Sequence, residues 1–257
     1  MNPIQTKTNS GSNTFQPQRG RYHSLFPTPF FQGVVNQPHK QIAEYCRYQV
    51  SQAKMLDPDN DETNYTTYFH QDLRREMEQE DWFRVFSNQM KDTYIDFITS
   101  QFDLDIKNIR RHDIHFFAWV SVYNKPHQHE LHNHVKSRIS GTYYPFAQDE
   151  VQPIKFINPN ITTTFNHGAA DSAMSTPDED QLMWVGSKGA QSEIHFTPKT
   201  GDFLLWPSYI MHGVPRVSKD YSDDYERIAI SFNLNHKEDL GSYETGDNMD
   251  YSFIQES

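Results

Sequence analysis

Residues 114–146 read IHFFAWVSVYNKPHQHELHNHVKSRISGTYYPF. Two runs rich in β-branched and aromatic residues, 114–123 and 137–146, enclose a polar stretch in which four histidines fall between His127 and His134. Runs of that length and composition are strands. Four of the chain's 13 histidines crowded between two strands are not what core packing produces, and they point to a ligand.

Working outward, the same signature recurs at 154–158 (IKFIN), 192–196 (SEIHF), 202–210 (DFLLWPSYI) and 227–234 (RIAISFNL), with Gly, Pro, Asn and Asp between the runs. Short strands at this density predict an antiparallel sandwich or barrel. Upstream, LFPTPFFQGVV (25–35) reads as an early strand. Residues 38–55 put Ile42, Tyr45, Tyr48 or Gln49 and Gln52 at helical spacing behind Pro38, and 70–101 repeats Leu73, Met77, Phe83, Phe86, Met90, Tyr94, Phe97 and Ile98, read as one long helix. Helices followed by strands give a mainly β, α+β chain, expected as a single domain over 21–236 with helical support at about 38–101. A polar Asn/Gln/Ser/Thr-rich tail covers 1–20, an acidic tail covers 237–257, and the turn-rich stretch at about 159–190 is an insertion of the length that functional loops have.

Composition narrows the function classes. The formal charge is −11 and no Lys/Arg-rich run occurs, which argues against nucleic acid as a partner. The single cysteine, Cys46, cannot form an intramolecular disulfide and suits a reducing compartment. No apolar stretch reaches the length of a membrane span and no signal-peptide pattern opens the chain. The cytoplasm is the expected setting, a host's cytoplasm if the gene belongs to a phage. Oligomeric state is not legible at this level.

Imidazole suits iron, copper, zinc and nickel, and a single-metal site with open positions needs about three protein ligands, drawn from separate segments. His132 and His134 are two residues apart, so an extended backbone turns both to one face. The step of three from His129 to His132 reverses the face unless the chain turns between them, so His127 and His129 are expected at the rim or in solvent. His212, read at the end of an apolar strand and followed by Gly213 and Pro215, is the candidate third ligand. Arg227 opens the next strand. A guanidinium at a buried strand start calls for an anion, and a carboxylate accepts its paired N–H groups well. The isolated histidines 23, 39, 70, 195 and 236 read as structural or exposed.

At these residues the chain resembles the 2-oxoglutarate- and Fe(II)-dependent dioxygenase superfamily, in particular the small oxygenases of bacteria and phages. The likeness runs through LFPTPFF, WVSVYNKPHQHELHNHVKSRISGTYYP, GDFLLWPSYIMHGVPRV and RIAISFN. It implies a double-stranded β-helix, or jelly roll, whose mouth binds iron through a His-x-Asp/Glu motif and a distal His. Carried over, His132 matches the first ligand, His134 the carboxylate position, His212 the distal ligand, and Arg227 the residue that binds the far carboxylate of 2-oxoglutarate. Tyr123 matches a hydroxyl offered to the cosubstrate. The implied cofactors are Fe(II), 2-oxoglutarate and O2, with ascorbate admitted as a reductant. The implied reaction is hydroxylation of a small molecule or a protein side chain with release of succinate and CO2, and Trp184 and the N-terminal helices are expected as walls of the substrate site. The departure is His134, which stands where the family carries a carboxylate; Glu130 and Asp113 are acids that could complete the site. Two alternatives stay open: a non-catalytic jelly-roll binding or structural module, and a cupin-like enzyme with three histidines that does not use 2-oxoglutarate.

Overall fold

The computed structural model describes residues 20–25, 28–60, 65–102, 109–124, 127–134, 136–148, 151–159, 193–216 and 224–237. The expected tails at 1–19 and from 238, the insertion from 160 onward and Trp184 within it lie outside the described residues. The elements in chain order are β1 (Gly20–Leu25), β2 (Thr28–Val34), α1 (His39–Leu56), α2 (Gln71–Gln79), α3 (Asp81–Gln101), a 3-10 turn at Arg111–Asp113, β3 (Ile114–Tyr123), β4 (His129–His132), β5 (Ile139–Ala147), β6 (Ile154–Ile157), β7 (Glu193–Phe196), β8 (Asp202–Pro207), β9 (His212–Val214) and β10 (Arg227–His236).

Two sheets form. The large one is ordered β1-β2-β8-β5-β10-β3 and the small one β4-β9-β6-β7, and every pairing is antiparallel. From β3 onward the chain alternates between the sheets, returning to the large sheet at β5, β8 and β10. This is the expected jelly roll.

Alternation along the strands divides the core in two. On β8, Phe203 and Leu205 join Ile42, Cys46, Phe86, Met90 and Phe97 of α1 and α3, whereas Leu204 and Trp206 face Phe156 and Phe196 of the small sheet. On β10, Ile228, Ile230, Phe232 and Leu234 point to the helices. The intervening Arg227, Ala229, Ser231 and Asn233 therefore share the opposite face, between the sheets. The helices seal the back of the large sheet and contribute no lining to the site, contrary to the expectation that they would wall it. An apolar sheet needs that cover, and α1 and α3 supply it with the apolar stripe that made them legible.

Three expected boundaries shift. The early strand is a hairpin, β1 with β2, that starts at Gly20, the last residue of the expected tail. The long helix is broken at Glu80, whose φ of −69° and ψ of 134° are extended, into α2 and α3. The run 202–210 ends as a strand at Pro207, and after a turn His212 opens β9 in the other sheet rather than closing β8. No helix among the described residues is long and apolar enough to cross a membrane.

Candidate metal centre

Three histidines meet between the sheets. His132 is the last residue of β4 and His212 the first of β9, and they are direct cross-strand partners. His134 lies two residues beyond β4, where its backbone N–H donates to Ser208 O at 2.9 Å in the turn after β8. One side-chain nitrogen from each of His132, His134 and His212 lies within 4.8 Å of the others. His134 Nε2 and His212 Nε2 are 3.3 Å apart.

The ring orientations follow from outer hydrogen bonds. His132 Nδ1 is 2.8 Å from Glu130 O and His212 Nδ1 is 2.9 Å from Ile210 O. A backbone carbonyl only accepts, so each Nδ1 carries the proton and each Nε2 turns a lone pair inward. Burial keeps all of them neutral: it holds His134 down to about 3, helped by His132, and pushes His132 and His212 below the usual imidazole range. Three neutral imidazoles whose ring nitrogens converge are a donor set for a borderline first-row cation such as iron. Neither candidate acid joins them. Glu130 is exposed on β4, and Asp113 caps the 3-10 turn by accepting from Arg110 N at 2.9 Å. The face is all-histidine among the described residues.

His129 departs from expectation. It lines the cavity, its ring stacked on His132 at 4.1 Å and 18°, with Nδ1 3.3 Å from Tyr123 Oη. Burial first, then the neighbouring His132, His134 and Arg227, lowers it to about 3. The turn that brings it inward is a β-bulge: His129 pairs with Val214 and His132 with His212, so β4 spends three residues where β9 spends two. Gly213 makes that possible, because a Cβ there would lie 2.8 Å from His129 O and 3.0 Å from Glu130 O. Gly213→Ala is expected to push β4 off β9 at a cost of about 1–3 kcal/mol and to weaken Co(II) binding with it. A melting curve and a Co(II) titration check this; an unchanged pair of values would show the bulge to be tolerant. His127 does stay at the rim, stacked on Tyr65 at 4.6 Å. The structural reading also holds for His39, against Tyr143 Oη at 2.7 Å, and for His195, paired with Glu193 on the surface.

Opposite the histidines the cavity is closed by the large sheet. Trp119, Tyr123, Thr142, Tyr144, Trp206 and Arg227 line it. Arg227 is 1% exposed. One of its terminal nitrogens donates to Gln152 O at 2.7 Å, its guanidinium lies over the Tyr123 ring at 4.4 Å, and its Nε has no partner. Trp206, packed edge-on against His212 at 4.8 Å, has an indole N–H that is likewise buried and unpartnered. Two unsatisfied donors in one cavity, one of them cationic, ask for an acceptor with negative charge.

Fold and site thus define a jelly roll in which three histidines that could hold a metal ion face a buried arginine. Residues 117–233 match the family described as "Putative 2OG-Fe(II) oxygenase", and this segment, which carries every site residue named above, supports reading the chain as an oxygenase of this kind. Iron(II) and 2-oxoglutarate are the cofactor and cosubstrate that the family's description names. No curated protein matches the sequence. Among solved structures, the chain is similar to a prolyl-4-hydroxylase from Pseudomonas putida, at 10% identity over 81% of this chain and 92% of that one, with a TM-score of 0.43. It is also similar to HygX from Streptomyces hygroscopicus with nickel and 2-oxoglutarate bound, at 11% identity over 82% and 83%, with a TM-score of 0.43. A third similar structure is AviO1 from Streptomyces viridochromogenes Tue57, at 9% identity over 79% and 89%, with a TM-score of 0.44. The oxygenase reading rests on the family match, not on these distant likenesses.

Proposed function

We propose that the chain is a hydroxylase of this class in which His132, His134 and His212 hold Fe(II) through their Nε2 atoms, while Arg227 and Tyr123 receive the far carboxylate of 2-oxoglutarate. The observation that carries the reading is the buried guanidinium of Arg227, with Nε unpartnered, in the same cavity as three converged neutral imidazoles. When bound, Fe(II), 2-oxoglutarate and O2 supply oxidative decarboxylation to succinate and CO2, coupled to hydroxylation of a C–H bond, with ascorbate as an auxiliary reductant.

The chain's own groups do the binding and the shielding. The Nδ1–H bonds of His132 and His212 hold their rings at a fixed angle, so little side-chain entropy is left to lose when metal enters. Arg227 supplies a charge that cannot be neutralised, and the Tyr123 hydroxyl, kept protonated by burial, supplies a donor beside it. Trp119, Tyr144, Ile154, Trp206 and Val214 exclude water around the anion and strengthen both contacts. The substrate is a small molecule or a protein side chain, and the single cysteine, buried and free, fits work in the cytoplasm.

An all-imidazole face leaves the divalent cation's charge uncompensated, and Arg227 adds to it. A dianion is therefore what the site lacks, and each ligand should raise the other's affinity. Anaerobic titration with Fe(II) and then 2-oxoglutarate is expected to give the weak visible charge-transfer band of a chelated keto acid, and air should then release succinate. Iron binding without a band would favour the three-histidine enzyme that does not use 2-oxoglutarate. Absence of both would favour the binding module.

A further inference from the structure

The three histidines do not have equal outer support. His132 and His212 each donate Nδ1–H to a backbone carbonyl, Glu130 O and Ile210 O. Among the described residues His134 has no such carbonyl; its Nδ1 faces the side-chain amide of Asn233, with Nδ2 at 3.5 Å. Behind that amide lies a short chain of buried hydroxyls. Asn233 Oδ1 accepts from Ser140 Oγ at 2.8 Å, and Ser140 Oγ is 2.8 Å from Ser208 Oγ, either of which can donate to the other. Ser140 and Ser208 are 1% and 0% exposed, so solvent does not compete for them.

With the amide nitrogen toward the ring, this arrangement suits only one tautomer. His134 Nδ1 then accepts from Asn233, its proton sits on Nε2, and that Nε2–H points at His212 Nε2, 3.3 Å away. In this form His134 has no inward lone pair and cannot ligate. Turning the amide by 180° presents Oδ1 to the ring without moving a heavy atom appreciably. His134 then donates Nδ1–H to Oδ1 and bares Nε2, Asn233 Nδ2 donates to Ser140 Oγ, and Ser140 donates to Ser208. The ring–amide and amide–Ser140 links are kept in both states, and the imidazole stays neutral, losing the proton at Nε2 and gaining one at Nδ1.

We infer that Asn233, backed by Ser140 and Ser208, is the positioning residue that makes His134 a ligand, through an amide and hydroxyl chain that reverses polarity when metal enters. A carboxylate at position 134 would need none of this, since it has no outer N–H to satisfy; an imidazole does. Asn233 meets that need because it follows Arg227 by six residues on β10 and so faces the site with it. The inference rests on His134 being a metal ligand.

Anaerobic Co(II) titrations of the full chain and its variants test it. Asn233→Ala is expected to bind Co(II) about 10–100-fold more weakly than the wild type, the range found for partners of metal-bound histidines. Asn233→Asp, which keeps an acceptor at the ring, should bind within about threefold of the wild type or tighter. In a His134→Ala background, Asn233→Ala should cost nothing more. The Zn(II)-loaded wild type should also show a slowly exchanging His134 Nδ1 proton by NMR, a reading that needs no variant to fold. The inference is overturned if Asn233→Ala binds Co(II) like the wild type, if Asn233→Asp is as weak as Asn233→Ala, if the loss persists without His134, or if the Nδ1 proton exchanges freely. If His134→Ala itself binds Co(II) like the wild type, it is the ligand assignment that fails.

Discussion

Arg227→Met should lose 2-oxoglutarate while keeping the fold. Truncating one partner of a buried charge-assisted pair typically costs about 2–5 kcal/mol, so anaerobic calorimetry is expected to show binding weakened by about 30-fold or more. The apo variant, in contrast, should melt close to the wild type. Arg227 is fully buried, donates to a single carbonyl, Gln152 O, and leaves Nε unpartnered. No carboxylate among the described residues forms an ion pair with it. Replacing such a cation with an apolar chain of similar length removes its desolvation cost, which offsets the lost contact with the Tyr123 ring. A structural arginine behaves in the opposite way: its loss lowers the melting temperature by several degrees and leaves ligand affinity alone. That outcome would remove the anion pocket from the reading. Arg227→Lys should fall between, since an ammonium keeps the charge but loses the planar fork.

How far the site could be read in advance depends on strand parity. β3 and β10 are long, β-branched and aromatic, and their limits in the structure match the sequence pattern within two residues. Once β10 is in place, the same parity that buries Ile228, Ile230 and Phe232 against the helices turns Arg227 and Asn233 toward the three histidines. Arg227 stood out by its charge. Asn233 did not, although it shares that parity. β4 and β9 were not legible: His-Glu-Leu-His has no β-branched residue, and three residues are too few for a periodicity to show. Without β9, His212 could only be attached to the end of β8, where Pro207 in fact stops the ladder before the chain crosses to the other sheet. The helix break had a faint trace, since the apolar step from Met77 to Phe83 is six residues and fits no helical face. The position of His129 had one too. An odd spacing between two inward side chains requires a bulge, and a glycine opposite, Gly213, is where a bulge finds room.

That bulge sets four histidines against one cavity, and their substitution should separate ligands from neighbours. Alanine at His132, His134 or His212 is expected to weaken Co(II) binding by roughly a hundredfold or more, since even a ligand's hydrogen-bonding partner is worth about 10–100-fold. His212→Ala should be the most severe. Its ring is 5% exposed and wedged between Trp206 and Phe156, so no solvent molecule replaces its nitrogen without entering an aromatic wall. His134→Ala should be the mildest of the three, because position 134 lies beyond the strand, where water can reach the vacated place. His129→Ala should leave Co(II) affinity within about threefold, for its nitrogen is engaged with the Tyr123 hydroxyl and it stands outside the convergent trio. Its effect should fall on the cosubstrate instead: without His129 the Tyr123 hydroxyl loses one of its partners, and 2-oxoglutarate should bind several-fold more weakly at unchanged metal affinity. A loss of Co(II) in His129→Ala as deep as in His132→Ala would mean that the stacked ring at 4.1 Å is itself a ligand, and the metal would then sit nearer Arg227 than the His132, His134 and His212 trio puts it.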